Sequence, residues 1–399
     1  MAAAPAAYGA PVRVPMSVWV GSWASAQQIP EPGNLLPADA AHDVTLRQAV
    51  RLSLGGRRVR VRLSNAFGTA PLRIDAVHLA RGAAGAARID PASDRALTFD
   101  GRPEVSIPAG ADYLSDPVDL PVAALTTLTI SMHLADAPAR QTGHPGSRAT
   151  SYLASGNQVA AADLTAVRKA WHWWQLAGVE VERPGGAAIV TLGDSITDGA
   201  GATTDGDNRW PDVLAARLQA DPKTRGLGVL NAGIGGNRVL LDDVGPNALA
   251  RFDRDVLSPA GVRYLIVLEG INDLGTLART QPVSPQAHAD LTARMIGAYR
   301  QIALRARSHG IKVIGATILP DGGSGYYHPD ALSEHDRQVL NAWIRAPGHF
   351  DAVVDFDAVT RDPADPRRIA ARYDSGDGLH PSPAGYKAMA EAIPLALFK

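Results

Sequence analysis

The sequence predicts two domains of different class: an all-β sandwich of jelly-roll-like form, then an α/β domain on a parallel sheet. Three observations carry this. The chain has 399 residues, more than one ordinary core accommodates. Its first half shows short, often alternating apolar runs, whereas its second half alternates buried-looking runs with helical stretches. The period changes at "RPGG" (183–186), which places the domains at 1–183 and 184–399.

In the first half "RRVRVRLS" (57–64), "PLRIDAVHLA" (71–80), "LTTLTISMHLA" (125–135) and "AWHWWQLAGVEVE" (170–182) read as strands separated by Gly, Pro and Asp. Several short strands at this spacing indicate a sandwich, and no helix of convincing length interrupts them. Within "AWHWWQ" a strand would turn Trp171 and Trp173 to one side and His172 and Trp174 to the other. Burial in the sandwich or between the domains is expected for most of these rings, ahead of a role as a sugar platform.

In the second half AIVTL, GVLNA, RYLIVLEG, KVIGATIL and AVVDF are the strand-like runs. The helix after the third opens with Ser284 as N-cap and Pro285 at N1, and closes at Gly310. Ser333 is read as the cap of "SEHDRQVLNAWIR", and Ser382, followed by Pro383, as that of "SPAGYKAMAEAI". Five such alternations imply a parallel sheet with helices on both faces.

Composition narrows the functions. A net charge of −1 argues against nucleic acid as the main partner. The absence of cysteine excludes disulfides, thiolate metal sites and a cysteine nucleophile. No apolar run approaches the ~20 residues that span a bilayer. The start "MAAAPAAYGAPVRV" lacks the basic and apolar regions of a signal peptide and fits equally a mature terminus; the localisation expected is secreted or periplasmic.

Ligands of a parallel sheet bind at the carboxyl ends of its strands. After the first strand come Gly193, Asp194 and Ser195; after the second, "NAGIGGN" (231–237); after the third, "GIND" with Asn272 and Asp273; after the fifth, "DSGDGLHPS" with Asp377 and His380. A serine needs a base to take its proton, and His380 suits that role. Asp377, three residues upstream, can fix the tautomer of His380 and stabilise its imidazolium. The oxyanion donors expected are the backbone N–H groups of Ser195 and Gly236 and the side-chain amide of Asn272, with Gly235 one residue from the second.

Each residue also has a plainer reading. Asp194 is expected to hydrogen-bond the serine turn rather than to move protons. Asn272 alone would be a turn residue and His380 alone a capping or surface histidine; only the set lifts them. Tyr326, Tyr327 and His328, in the loop after the fourth strand, are expected with Asp194 near the pocket. G-x-x-x-x-G-K-[ST], H-E-x-x-H and S-x-x-K are absent, "NAGIGGNR" lacks the third glycine of a dinucleotide fingerprint, and Ser195 is not in G-x-S-x-G. No cofactor and no metal are expected.

GDS at the first strand, "GGN" in the glycine loop, "GIND" and D-x-x-H together resemble the GDSL, or SGNH, hydrolase family, whose Ser, Gly, Asn and His correspond here to Ser195, Gly236, Asn272 and His380. With "RWPDVLAARL" and the preceding β domain, the chain is similar to the xylanase-associated esterase-like (XynE-like) subgroup. The resemblance implies a flavodoxin-like three-layer α/β/α domain with a five-stranded parallel sheet. It also implies a serine carboxylesterase or acetylesterase acting on short-chain acyl esters, O-acetyl groups of carbohydrate included. Two alternatives stay open: a thioesterase or lysophospholipase with the same triad, and a carbohydrate-binding protein with an accessory hydrolase domain.

Overall fold

The valines of "RRVRVRLS" and the leucine after them point one way and the arginines the other. Val59, Val61 and Leu63 are completely buried, while Arg60 and Arg62 converge on Glu180 of the neighbouring strand. The structure, a computed structural model, describes residues 19–279 and 283–398. The start of the chain through residue 18 lies outside the described residues.

The N-terminal domain holds two large antiparallel sheets. One orders Trp19–Ala24, Leu176–Glu182, Gly56–Ser64 and Asp112–Leu114, with Val118–Val122 also on Gly56–Ser64. The other orders Arg168–Ala170, Ser151–Ser155, His42–Arg51, Thr127–Asp136, Ala76–Arg81 and Arg95–Ala96. "PLRIDAVHLA" is two strands in different sheets, Leu72–Ile74 and Ala76–Arg81, because Asp75 breaks the run and accepts the Ala135 N–H. "AWHWWQLAGVEVE" is also divided. Gln175 stands at φ 53°, and Trp173 and Trp174 are both buried while Trp171 is 53% exposed. The run is broken at 171–172 and again at Gln175, leaving Trp173–Trp174 as a short strand whose rings meet different neighbours: Trp173 meets Trp23 and His144, and Trp174 meets His172.

The C-terminal domain carries the five-stranded parallel sheet. Its strands are β1 (Ala187–Gly193), β2 (Leu227–Gly233), β3 (Val262–Leu268), β4 (Lys312–Ala316) and β5 (Ala352–Val354), in the spatial order β2-β1-β3-β4-β5. This is the flavodoxin-like order, with its switch point between β1 and β3. The helices are α1 (Ser195–Asp198), α2 (Trp210–Ala220), α3 (Ile271–Ala278), α4 (Pro285–Ser308), α5 (Ala331–Arg345), α6 (Phe356–Thr360) and α7 (Pro383–Ala392). α2 and α6 pack on α7, and α3 and α4 pack on α5, so two sets of helices flank the sheet.

Ser284 caps α4 and Ser382 caps α7, each accepting a first-turn N–H. The cap of α5 is Asp330 rather than Ser333: its Oδ1 accepts the Ser333 N–H at 2.8 Å and the Ser333 hydroxyl at 3.0 Å. The helix begins a turn earlier than expected because the carboxylate outcompetes the hydroxyl for the free amide.

One apolar cluster runs through both domains without a break. Trp19–Ala24 lies along β2, where a Cβ on Gly21 would come 2.7 Å from Leu230 Cδ1. The Gly21 N–H donates to Ala260 O, and the Val229 N–H of β2 donates to Ser53 Oγ at 2.8 Å.

Candidate active site

β1 delivers the chain to the switch point and stops at Gly193. A Cβ there would lie 2.1 Å from Thr197 Oγ1 and 2.7 Å from Leu268 O, so the turn into α1 requires glycine. Asp194 caps α1, its Oδ1 accepting the Ile196 N–H at 2.8 Å. Ser195 is then the first residue of the helix, half-buried at the sheet edge.

His380 arrives from a different part of the fold. α6 and a long irregular segment separate it from β5, so the Asp377–His380 loop does not directly follow the fifth strand as the motif order suggested. The isolated bridge between Asp374 and Pro381 closes this loop just before α7. His380 Nε2 lies 2.8 Å from Ser195 Oγ, and His380 Nδ1 lies 2.6 Å from Asp377 Oδ2. Asp377 Oδ1 accepts the backbone N–H groups of Leu379 and His380 at 2.9 and 2.8 Å. Partial burial works to raise the Asp377 pKa, but the two N–H donors and the His380 ring outweigh it and hold it below the usual carboxylate range. A hydroxyl, an imidazole and a fixed carboxylate in this series can pass a proton as the hydroxyl attacks an acyl carbon.

Gly236 stands at φ 72° in the loop after β2, and among the described residues no acceptor meets its N–H. It lines the cavity above Ser195, whereas Gly235 does not. Asn272, at the second position of α3, donates from Nδ2 to Asn237 O at 2.7 Å and accepts the Tyr327 hydroxyl on Oδ1 at 2.7 Å. The second Nδ2 proton remains for a ligand. The next residue, Asp273, accepts the N–H groups of Val239 and Leu240 and so ties the glycine loop to α3.

The cavity over these groups measures about 970 Å³. Ser195, Gly236, Asn272, His380, Tyr326 and Tyr327 line it, as do the charged side chains of Arg238, Arg368, Asp362 and Asp374. Tyr326 is 53% exposed at the rim, with the Arg279 guanidinium 3.9 Å from its ring centre. Two residues expected at the pocket do not line it. The Asp194 carboxylate turns under α1 as its cap, and His328, exposed at φ 51°, stands off the cavity wall.

Residues 191–388 match the model of the GDSL-like Lipase/Acylhydrolase family. This segment is a GDSL-like acylhydrolase domain. No curated protein matches the chain. Similar solved structures include a GDSL-like lipase from Bacteroides thetaiotaomicron, 23% identical over 53% of this chain and 87% of its own, at a TM-score of 0.38. An acetyl xylan esterase from Geobacillus stearothermophilus is 24% identical over 52% of this chain and 93% of its own, also at a TM-score of 0.38.

Beneath the candidate site lies Arg251, a residue that no motif signalled. Completely buried, it donates to Gly193 O at the end of β1, to Ala232 O on β2 and to Asn237 Oδ1 in the glycine loop. It also pairs with Asp255 and with Glu269. One guanidinium thus fixes the spacing of three site-bearing segments. Burial pushes the Asp194 carboxyl up to about 7, with Asp273 and Asp198 adding to the shift and the Ile196 N–H and Arg251 opposing it. Burial likewise pushes Asp273 up to about 6, against its backbone donors and Arg238.

Proposed function

We propose that the chain is a serine carboxylic-ester hydrolase working through Ser195, His380 and Asp377. The observation that carries this is the pair of bonds on the His380 ring, 2.8 Å to Ser195 Oγ and 2.6 Å to Asp377 Oδ2, at the floor of an open cavity. Ser195 Oγ attacks the ester carbonyl while its proton passes to His380 Nε2, and Asp377 stabilises the resulting imidazolium. The oxyanion of the tetrahedral intermediate takes hydrogen bonds from the Ser195 and Gly236 N–H groups and from Asn272 Nδ2. His380 then returns the proton to the leaving alcohol. Water, deprotonated by His380 in turn, releases the acid from the acyl-enzyme.

The substrates in this reading are short-chain acyl esters, with O-acetyl groups of carbohydrate foremost, as in the xylanase-associated subgroup. The charged side chains along the cavity suit a hydroxyl-rich alcohol, and the Tyr326 hydroxyl at the rim, on a ring held between Arg279 and Tyr327, adds a further polar group. The division at 183/184 and a secreted or periplasmic location belong to the same reading.

The test is a panel of aryl esters from acetyl to long-chain acyl, a thioester and a lysophospholipid, run beside acetylated xylan. Acetyl esters and acetylated xylan should be turned over fastest, and Ser195→Ala should abolish the activity. Preference for the thioester or lysophospholipid would move the chain to the corresponding alternative. Sugar binding without hydrolysis by the wild type would make the catalytic domain accessory.

A further inference from the structure

α1 is a single turn of four residues, too short to hold its own shape, and Gly199 at φ 107° ends it. Two side chains fasten it from outside. Asn231 of β2 donates to Thr197 O at 2.8 Å. The other comes from the N-terminal domain: His144 Nε2 lies 2.9 Å from Asp198 Oδ1. Asp198 is the last residue of the turn that begins with Ser195.

The surroundings of His144 define its protonation. Its Nδ1 lies 2.8 Å from Ala26 O, a carbonyl that can only accept, and its Nε2 faces a carboxylate. Both acceptors are served when the ring carries a proton on each nitrogen, as an imidazolium facing the Asp198 carboxylate. The two side chains are only 3% and 5% exposed. Complete burial disfavours the charged ring, yet Asp198, aided by Ala26 O, outweighs it and leaves the His144 pKa raised; the nearby Arg209 guanidinium works the other way. The Trp173 indole also stacks on the ring, with the ring centres 5.7 Å apart. The same loop presses closer still at Gly146, where a Cβ would stand 2.0 Å from Asp198 Oδ2.

We infer that His144 is a positioning residue: from the N-terminal domain it grips the Asp198 carboxylate with an imidazolium N–H, and so fixes the one-turn helix that presents Ser195 to His380. This rests on the triad reading above. It gives the β domain a part in catalysis that does not require it to touch substrate.

The test uses the full chain with His144→Ala and His144→Gln, folding being checked by circular dichroism and thermal melting. His144→Ala should lower kcat on the order of 10²-fold through misplacement of the serine, with KM within about twofold. His144→Gln should recover part of the loss, since its amide can donate to Asp198 from a similar place. Wild-type kcat should fall at alkaline pH, as the ring loses its second proton and one acceptor is left without a donor. That limb should be absent in His144→Gln, which has no proton to lose there. Labelling by a serine-directed organophosphonate separates the two levels of the argument. An adduct on a serine other than Ser195 in the wild type overturns the triad reading. Wild-type labelling and kcat in a folded His144→Ala overturn the inference alone. Should the alanine variant not fold, an alkaline limb in His144→Gln identical to that of the wild type overturns it equally.

Discussion

The Tyr327 hydroxyl donates to Asn272 Oδ1 across 2.7 Å, over a glycine that leaves room for the ring. A Cβ on Gly275 would fall 2.3 Å from Tyr327 Cγ, so the ring lies directly on α3. With its oxygen held by tyrosine and one proton on Asn237 O, the Asn272 amide cannot flip, and its free proton stays in the cavity. Tyr327→Phe should lower kcat about tenfold with little change in KM, because it removes one orienting hydrogen bond and almost no volume. Steady-state kinetics on an aryl acetate would show this, and an unchanged kcat would detach Tyr327 from the oxyanion donor.

Asn272→Ala should cost more than Tyr327→Phe. An oxyanion donor acts mainly in the transition state, so kcat is expected to drop on the order of 10²–10³-fold at nearly constant KM. A near-normal kcat would return Asn272 to a structural role on the glycine loop.

His380 and Asp377 should prove unequal. His380→Ala should be close to Ser195→Ala, because the proton then has no acceptor. Asp377→Ala should retain activity measurable above background, since Ser195 and the imidazole both remain. It should also lower the thermal midpoint, because Asp377 Oδ1 holds the Leu379 and His380 amides. Equal inertness of the two variants in a progress-curve assay would refute this division of labour.

Asp194 should make stability depend on pH. Its carboxyl is pushed from an ordinary 3.8 up to about 7, so the folded chain holds a proton that the unfolded chain releases. The stabilisation is therefore complete at acid pH and is lost as pH rises from about 4 towards 7. Asp194→Asn keeps an oxygen for the Ile196 N–H and has no proton to release. The difference in melting temperature, wild type minus variant, should become less favourable to the wild type across that window. A pH-independent difference would show that Asp194 titrates normally.

The residues that end strands or begin helices at the carboxyl edge were readable from the sequence, because motif and topology place them together: Ser195 after β1, Gly236 after β2 and Asn272 after β3. Asp377 and His380 were readable as a pair from their spacing, though α6 displaces their loop from β5. Other features depend on packing that no local pattern encodes. His144 and Asp198 lie 54 positions apart in different domains. Arg251 earns no notice as one arginine among many, and its three bonds to β1, β2 and the glycine loop exist only once those segments have converged. The Tyr327–Asn272 bond needs the space over Gly275. The misread cap at Ser333 and the broken strand at Gln175 are local failures of a similar kind. An aspartate three residues earlier outcompeted the hydroxyl, and a non-glycine residue took a positive φ.

β2 is an outer strand of the parallel sheet; α1 and α2 pack on it, and Trp19–Ala24 of the other domain lies along it. Cutting the chain at the 183–186 turn to express the catalytic half by itself would strip away Trp19–Ala24 and Ser53 together. The Val229 amide would lose its acceptor, and the surface around Leu230, now only 1% exposed, would meet water. An uncovered strand border with an apolar face is a template for pairing with another copy. The truncated chain should therefore be recovered as insoluble aggregate or as edge-paired oligomers, even with Ser195, His380 and Asp377 all present.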